Sequence, residues 1–326
     1  ILLKKDMFMS KVINIKIKFI WMLRWMIILN CPLLFSQQEA SFSQYMFNQQ
    51  LINPAYVGAQ SYTQLSILNH SQWLNIEGAP ETQALSVGTK LSKKIGIGFS
   101  AFNDRIGPAR NTSSSIDFAY HLKLNEKNLK LGLGLKMSGR LNSLDLSGIS
   151  TVQSGDNLFS FQSQNELNLN FGAGFYIYSP NFYLGMGVPF LLEEDTFNIQ
   201  RNFYVITGGI FRLSETIQLK PSFLIQKTAD IETIYDNSVW LVFNNRFWIG
   251  PQYRASLKNA IPSRKAGGYF GAIAGIYISK SLSLGYAYQG AIGNQSLGIT
   301  NTSHEIMLRF QFLSKYRGIL RSPRLF

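Results

Sequence analysis

The side chains best able to do chemistry here are few: three histidines, one cysteine, and short acidic or glycine-rich stretches. His304 precedes Glu305 and His70 precedes Ser71, couples that suggest general acid–base work wherever both groups reach one substrate. Both lie in alternating, strand-like sequence, where neighbours point to opposite faces, so neither couple can form directly. A hydrolase would need Ser, His and an acid brought together by the fold. Gly132-Leu133-Gly134 and Gly172-Ala173-Gly174 look like phosphate-cradling loops, but they sit mid-strand rather than between a strand and a helix. They read instead as space on an interior face or as points where a sheet curves. Glu193-Glu194-Asp195 reads as a solvated loop tip before it reads as a weak cation site. Cys31 is flanked by Asn30 and Pro32, which do not suit a lipid-attachment site. With that stretch removed, the chain has no thiol for a disulfide, a metal site or a nucleophile. No catalytic residue, metal ligand or cofactor is expected, and the chain reads as a non-enzyme.

The elements that would have to position any such group alternate with period two. Leu129, Leu131, Leu133, Leu135 and Met137 interleave with Lys130, Gly132, Gly134, Lys136 and Ser138. Leu167, Leu169, Phe171, Ala173, Phe175 and Ile177 do the same against Asn168, Asn170, Gly172 and Gly174. Ile306, Leu308, Phe310 and Phe312 repeat it against Met307, Arg309 and Gln311. Each is a strand with one apolar face. About fourteen such runs are expected. They fall near 63–73, 82–91, 94–102, 112–124, 128–138, 166–178, 181–188, 202–213, 217–226, 238–243, 246–254, 268–278, 282–289 and 303–312.

Their connections alternate between short turns (Ser92-Lys93, Asn125 to Lys127, Ser179-Pro180, Ser214 to Thr216, Asn244-Asn245, Ser279 to Ser281) and longer segments. The longer ones lie near 74–81, 103–111, 139–165, 189–201, 227–237, 255–267 and 290–302. An even strand count, tight turns on one side and longer loops on the other predict an all-β, transmembrane, antiparallel up-and-down barrel. Closure removes unpaired edges that lipid does not tolerate. Tyr176, Tyr178, Tyr183, Trp240, Trp248, Tyr253, Tyr277, Tyr286 and Tyr288 fall towards strand ends and are read as interfacial girdles; an aromatic core of a soluble β-protein is the alternative.

Composition agrees. The 326 residues carry a net charge of +13, are 46% hydrophobic and 13% aromatic, and only 15% are charged. That excludes disorder, and the bases are not gathered into a nucleic-acid-binding stripe. Six bases and one acid lie in the first 36 residues, ahead of an apolar core from Trp25 to Phe35 and the polar Ser36-Gln37-Gln38. This is the order of a secretory signal peptide, and the core is too short to span a bilayer. The expected organisation is a signal peptide at 1–36, an N-terminal periplasmic or plug segment at 37–62, an outer-membrane barrel at 63–313 and a periplasmic tail at 314–326.

Two N-terminal motifs, Phe42 to Asn48 and Ile52 to Gly58, carry a family resemblance. Ser71-Gln72-Trp73, Gly78 to Gln83, Asn103 to Pro108, Phe182 to Pro189, Gly285 to Tyr288, Ser303 to Ile306 and the closing Ser322 to Phe326 follow in order. Together they resemble the PorP/SprF family of type IX secretion membrane proteins from Bacteroidetes. Asn69-His70 departs from it, since a basic residue is expected beside Ser71. The resemblance implies an outer-membrane barrel that helps export or hold particular secreted proteins, gliding adhesins included, with secretion-machinery components, cargo and outer-membrane lipid as partners and no nucleic acid.

Beside that label, Asn53-Pro54-Ala55-Tyr56 reads equally as a plug tucked into the barrel or as a turn, since proline restricts itself and Asn53. Asn103, Asp104 and Arg105 read as part of a constrained outside loop. Phe159, Phe161, Phe197 and Tyr235, with that loop, are the candidate partner contacts. Two functions compete: a secretion accessory and surface anchor, and a general porin for small solutes. Inward Gly, Ala, Ser and Asn leave open whether the lumen is filled.

Overall fold

In the computed structural model the described residues are 42–74, 76–125, 128–145, 163–193, 201–228, 232–256, 268–292 and 302–312. Three single-turn 3-10 helices (Tyr45–Phe47, Gln49–Leu51 and Pro54–Tyr56) come first. The strands follow: β1 Thr63–Gln72, β2 Glu81–Lys90, β3 Ile95–Ile106, β4 Ala109–Lys123, β5 Lys130–Asp145, β6 Ser163–Tyr178, β7 Phe182–Val188 and β8 Asn202–Gly209. The last are β9 Phe211–Arg212, β10 Ile217–Thr228, β11 Ile234–Phe243, β12 Phe247–Ser256, β13 Gly268–Tyr277, β14 Leu282–Ile292 and β15 Thr302–Phe312.

Sequence neighbours pair antiparallel throughout, and β15 returns to β1 from Thr63↔Phe312 to Gln72↔Ser303, closing the sheet. β8 and β9 both pair with β10 in one register, so they form a single stave and the barrel has fourteen. Their break falls opposite Lys220 and Pro221, where proline has no N–H to offer the ladder. The β11–β12 ladder likewise lapses between Ser238↔Gln252 and Leu241↔Ile249, around Pro251.

Alternation sorts the two faces. On β5, Gly132, Gly134, Lys136, Ser138 and Arg140 are buried in the lumen, whereas Leu133, Leu135 and Met137 are 48%, 65% and 52% exposed on the outer wall. Leu169, Phe171 and Ile306 share that outer face.

The short turns lie where expected, but three longer connections are shorter than the sequence suggests: 103–111, 139–165 and 227–237, the last because β10 reaches Thr228 and β11 starts at Ile234. β3 and β4 stay paired to Ile106↔Ala109, so Asn103, Asp104 and Arg105 lie on a strand and only Gly107-Pro108 turn. Gly107 adopts φ +55 and its N–H donates to Gly78 O at 2.8 Å. β5 and β6 each run 16 residues, well past the 9–11 a tilted strand needs to cross a bilayer. The surplus projects beyond the hydrocarbon layer as a wall. Polar residues at the ends of these strands conceal their length, because pairing continues where the apolar alternation stops.

Candidate functional site

The barrel interior is occupied by residues 42–62, and the wall is built to receive them. Several wall positions where the segment's backbone comes closest are glycines: an added Cβ would meet Val57 O at 2.1 Å from Gly96, Ala55 N at 2.2 Å from Gly134 and Ile52 O at 2.2 Å from Gly187. Asn53 caps the Pro54–Tyr56 turn by accepting from Ala55 N–H at 3.0 Å, while its amide donates to Phe175 O of β6 at 2.9 Å. Asn53-Pro54-Ala55-Tyr56 is thus a turn that lies inside the barrel.

Two polar groups of wall residues grip the segment. In one, the Glu305 carboxylate accepts Ser43 N–H at 2.7 Å and Gln44 N–H at 2.8 Å. From β12, Gln252 donates to Ser43 O at 2.8 Å and Arg254 to Phe42 O at 2.9 Å. Arg254 is oriented by Asp236 at 2.9 Å, and His70 Nδ1 stands 3.3 Å from Glu305. Two N–H and two C=O groups of Phe42-Ser43-Gln44 are therefore held by side chains on β12 and β15, with Asp236 of β11 behind Gln252 and Arg254. In the other, Gln50 donates to Val87 O, Phe99 O and Asp117 at 3.2, 3.1 and 3.0 Å. Asp117 also holds Lys136 at 3.0 Å, both side chains being almost wholly buried.

Between these groups lies an aromatic layer. Phe47 packs 4.9 Å from Trp240 and 5.3 Å from Trp248, with the Arg309 guanidinium 4.8 Å over its ring. Tyr56 meets Tyr176 edge-on at 5.6 Å, and Tyr176 stacks on Tyr183 at 5.8 Å. Burial raises the Tyr56 phenol above its ordinary range, so it stays neutral beside Gln60. His121 closes the short-turn end, donating from Nε2 to Val57 O at 2.8 Å while Nδ1 accepts from Tyr178 at 3.1 Å.

Several sequence expectations are corrected here. Tyr176, Tyr178, Tyr183, Trp240, Trp248 and Tyr277 are not girdle residues: they point inward and pack on the N-terminal segment and on one another. Their place near strand ends was visible in the sequence, but the parity of each strand puts them on the lumen side. Tyr286 and Tyr288 do face outward, around His304, whose Nδ1 is 2.6 Å from the Tyr286 hydroxyl. His304 and Glu305 point to opposite faces, and Glu305 instead meets His70 across the β1–β15 seam.

The candidate contact residues do not converge. Asp104 accepts from Thr82 at 2.6 Å, Arg105 pairs with Glu81 at 3.6 Å and Asn103 accepts from Thr112 at 3.0 Å, all within the β2–β4 wall. Tyr235 lies on β11 rather than in a loop, 6.1 Å from Tyr253. Phe159, Phe161 and Phe197 lie outside the described residues. Sequence reading did not single out the buried Asp117, Lys136, Asp236, Arg254 and Arg309, and it weighed Glu305 only as a partner of His304. Their signal was charge at inward positions of strands whose outward positions are apolar.

Outside the N-terminal segment, on the side of the longer connections, a vestibule of about 690 Å³ including its open mouth remains, lined by Phe42, Leu51, Phe102, Phe190, Arg140 and Gln226. Arg140 stacks on Phe190 at 4.0 Å. Among the described residues no three His, Cys, Asp or Glu side chains are grouped to hold a metal ion.

A closed fourteen-strand barrel with an apolar outer wall and a polar, occupied lumen is an outer-membrane β-barrel protein. The family model described as type IX secretion system membrane protein PorP/SprF matches residues 34–310, and the chain belongs to that family. Comparison with curated proteins gives no match. Among solved structures, the outer membrane protein Omp33 of Acinetobacter baumannii is similar at TM-score 0.48 and 9% identity, covering 78% of this chain and 100% of its own. The CymD monoaromatic hydrocarbon channel has TM-score 0.48 and 13% identity, covering 83% and 92%. The toluene transporter TodX of P. putida has TM-score 0.45 and 9% identity, covering 81% and 94%.

Proposed function

We propose that this barrel is a non-enzymatic component of the type IX secretion system that assists the export or surface anchoring of specific secreted proteins, gliding adhesins among them. In this reading the longer connections lie outside the cell and both ends of the mature chain lie in the periplasm. Cargo meets the rim and vestibule, through Asn103, Asp104, Arg105 and Tyr235 and through Phe159, Phe161 and Phe197 of the longer segments. The observation that supports it over a porin is the occupied lumen. A solute pore needs an open, charge-lined path, whereas here the charges of Glu305, Arg254, Asp117 and Lys136 are directed at the protein's own N-terminal segment. An interior committed to holding polypeptide leaves the mouth and rim as the working surface.

The test compares surface and culture-medium proteomes of a deletion strain, a complemented strain and one carrying shortened longer connections. The reading expects a small set of exported proteins to change location in the deletion and loop-shortened strains, with small-solute uptake unchanged. Unchanged exported proteins with reduced uptake of small sugars or peptides would establish the porin.

A further inference from the structure

The inward face of the wall changes charge from one end of the barrel to the other. Its acids on the described strands, Asp104, Asp117, Glu166, Asp236 and Glu305, lie at mid-strand or nearer the longer connections. At the short-turn end, the inward positions of the described strands hold Lys90, Lys123, Lys130 and Arg212, and no acid. Glu215, the one acid of the described short turns, stands between β9 and β10, three staves beyond β5. A mouth lined by one sign of charge, inside a wall of low dielectric, focuses its field on the opening.

Two of these bases converge on one point. Lys90 ends β2 opposite Gly96, and Lys130 opens β5 opposite both Lys123 of β4 and Tyr178 of β6. Like charges directly opposite on neighbouring strands weaken the sheet. Lys130 Nζ lies 5.7 Å over the Tyr178 ring, and Lys130 stands within electrostatic reach of both Lys90 and His121. All three surround the turn at Gly58, which adopts φ +78 and sits so close that an added Cβ would meet Gly96 Cα at 2.5 Å and His121 Nε2 at 3.3 Å. Lys90 and Lys130 are half-buried, and neither forms an ion pair among the described residues. His121 and Tyr178 are engaged with each other and with Val57 O, so the two ammonium groups are the donors left facing the recess.

We infer that Lys90 and Lys130 form a binding site for a divalent oxyanion of the phosphate class, recessed in the short-turn mouth of the lumen. Two ammonium point charges match two negative charges on one compact group, and lysine binds phosphate in this manner. A single carboxylate would leave one ammonium unmatched. Phospholipid headgroups are on the far side of the wall, so the ligand comes from the aqueous phase. Sheet closure and strand register carry this inference, independently of any cargo.

The test titrates inorganic phosphate into the full-length barrel in maltoside micelles, at constant ionic strength set with chloride, and reads the heat of binding. Wild type should bind phosphate saturably. Lys90→Gln and Lys130→Gln should each weaken binding roughly tenfold, the loss of one charge-assisted contact, and the double variant should abolish it. Lys90→Arg with Lys130→Arg should keep it, as should Arg246→Gln with Lys280→Gln, whose cations stand on exposed turns. Heat-modifiable gel mobility establishes that every variant is a folded barrel. Phosphate should also raise the urea midpoint of wild type but not of the double glutamine variant. No saturable binding in wild type, or equal binding in the double glutamine variant, overturns the inference. So does a polyglutamate peptide that binds through the same two lysines where phosphate does not, since the mouth would then be a dock for acidic polypeptide.

Discussion

Glu305 is fully buried, yet its two oxygens take the adjacent N–H groups of Ser43 and Gln44. A buried carboxylate is costly unless its lone pairs are filled, and here the N-terminal segment supplies the donors. Hydrogen bonds to a charged acceptor contribute about 1.5–3 kcal/mol each. Glu305→Gln replaces one acceptor oxygen with an amide that must donate, which sets it against a backbone N–H. In planar-bilayer recordings wild type should be closed, and Glu305→Gln should show intermittent conductance as residues 42–44 detach; an electrically silent variant would contradict this clamp. Lys136 offers a second test. Lys136→Met strands Asp117 in the lumen, and breaking a buried pair in this way costs about 3–5 kcal/mol, measurable as a lowered urea midpoint for unfolding from vesicles.

At the scale of one element, β5 separates the two solvents of the barrel along a single strand. Leu133→Arg places a charge in lipid and should cost about 2–4 kcal/mol if the residue sits near the bilayer midplane. Lys130→Arg, at the rim, should be neutral in the same urea titration. Equal tolerance of the two would contradict the face assignment. The inward neighbour Gly134 should fail differently. Its added Cβ would meet Ala55 N at 2.2 Å, backbone that cannot swing aside, so Gly134→Val should displace the N-terminal segment. The barrel would still fold, with heat-modifiable mobility retained, and conductance would rise.

The whole molecule has a direction. The first residue of β1, the last of β15 and every short turn lie at one end, because an even number of antiparallel staves returns the chain to its starting side. A tag inserted near Gly155 should be labelled on intact cells, and one placed after Phe326 should be labelled only after the outer membrane is permeabilised. The reverse pattern would invert the topology.

Alternation alone made the barrel legible. Side chains of a strand have period two, and an apolar outer wall writes that period into Leu131, Leu133 and Leu135 with no help from distant sequence. Turn residues then counted the staves. The same reasoning marked Gly132 and Gly134 as interior space but could not say what fills it, because Ala55 reaches them only after the sheet has closed. Closure likewise joins Ser43 to Glu305 across almost the whole chain, and His70 to Glu305 across the seam, so neither contact has a local signature. The tyrosines and tryptophans near strand ends suit a membrane interface or a packed lumen equally well as sequence. Tertiary structure decided between the two, because only the parity of each strand within a closed wall determines whether a ring meets lipid or Phe47.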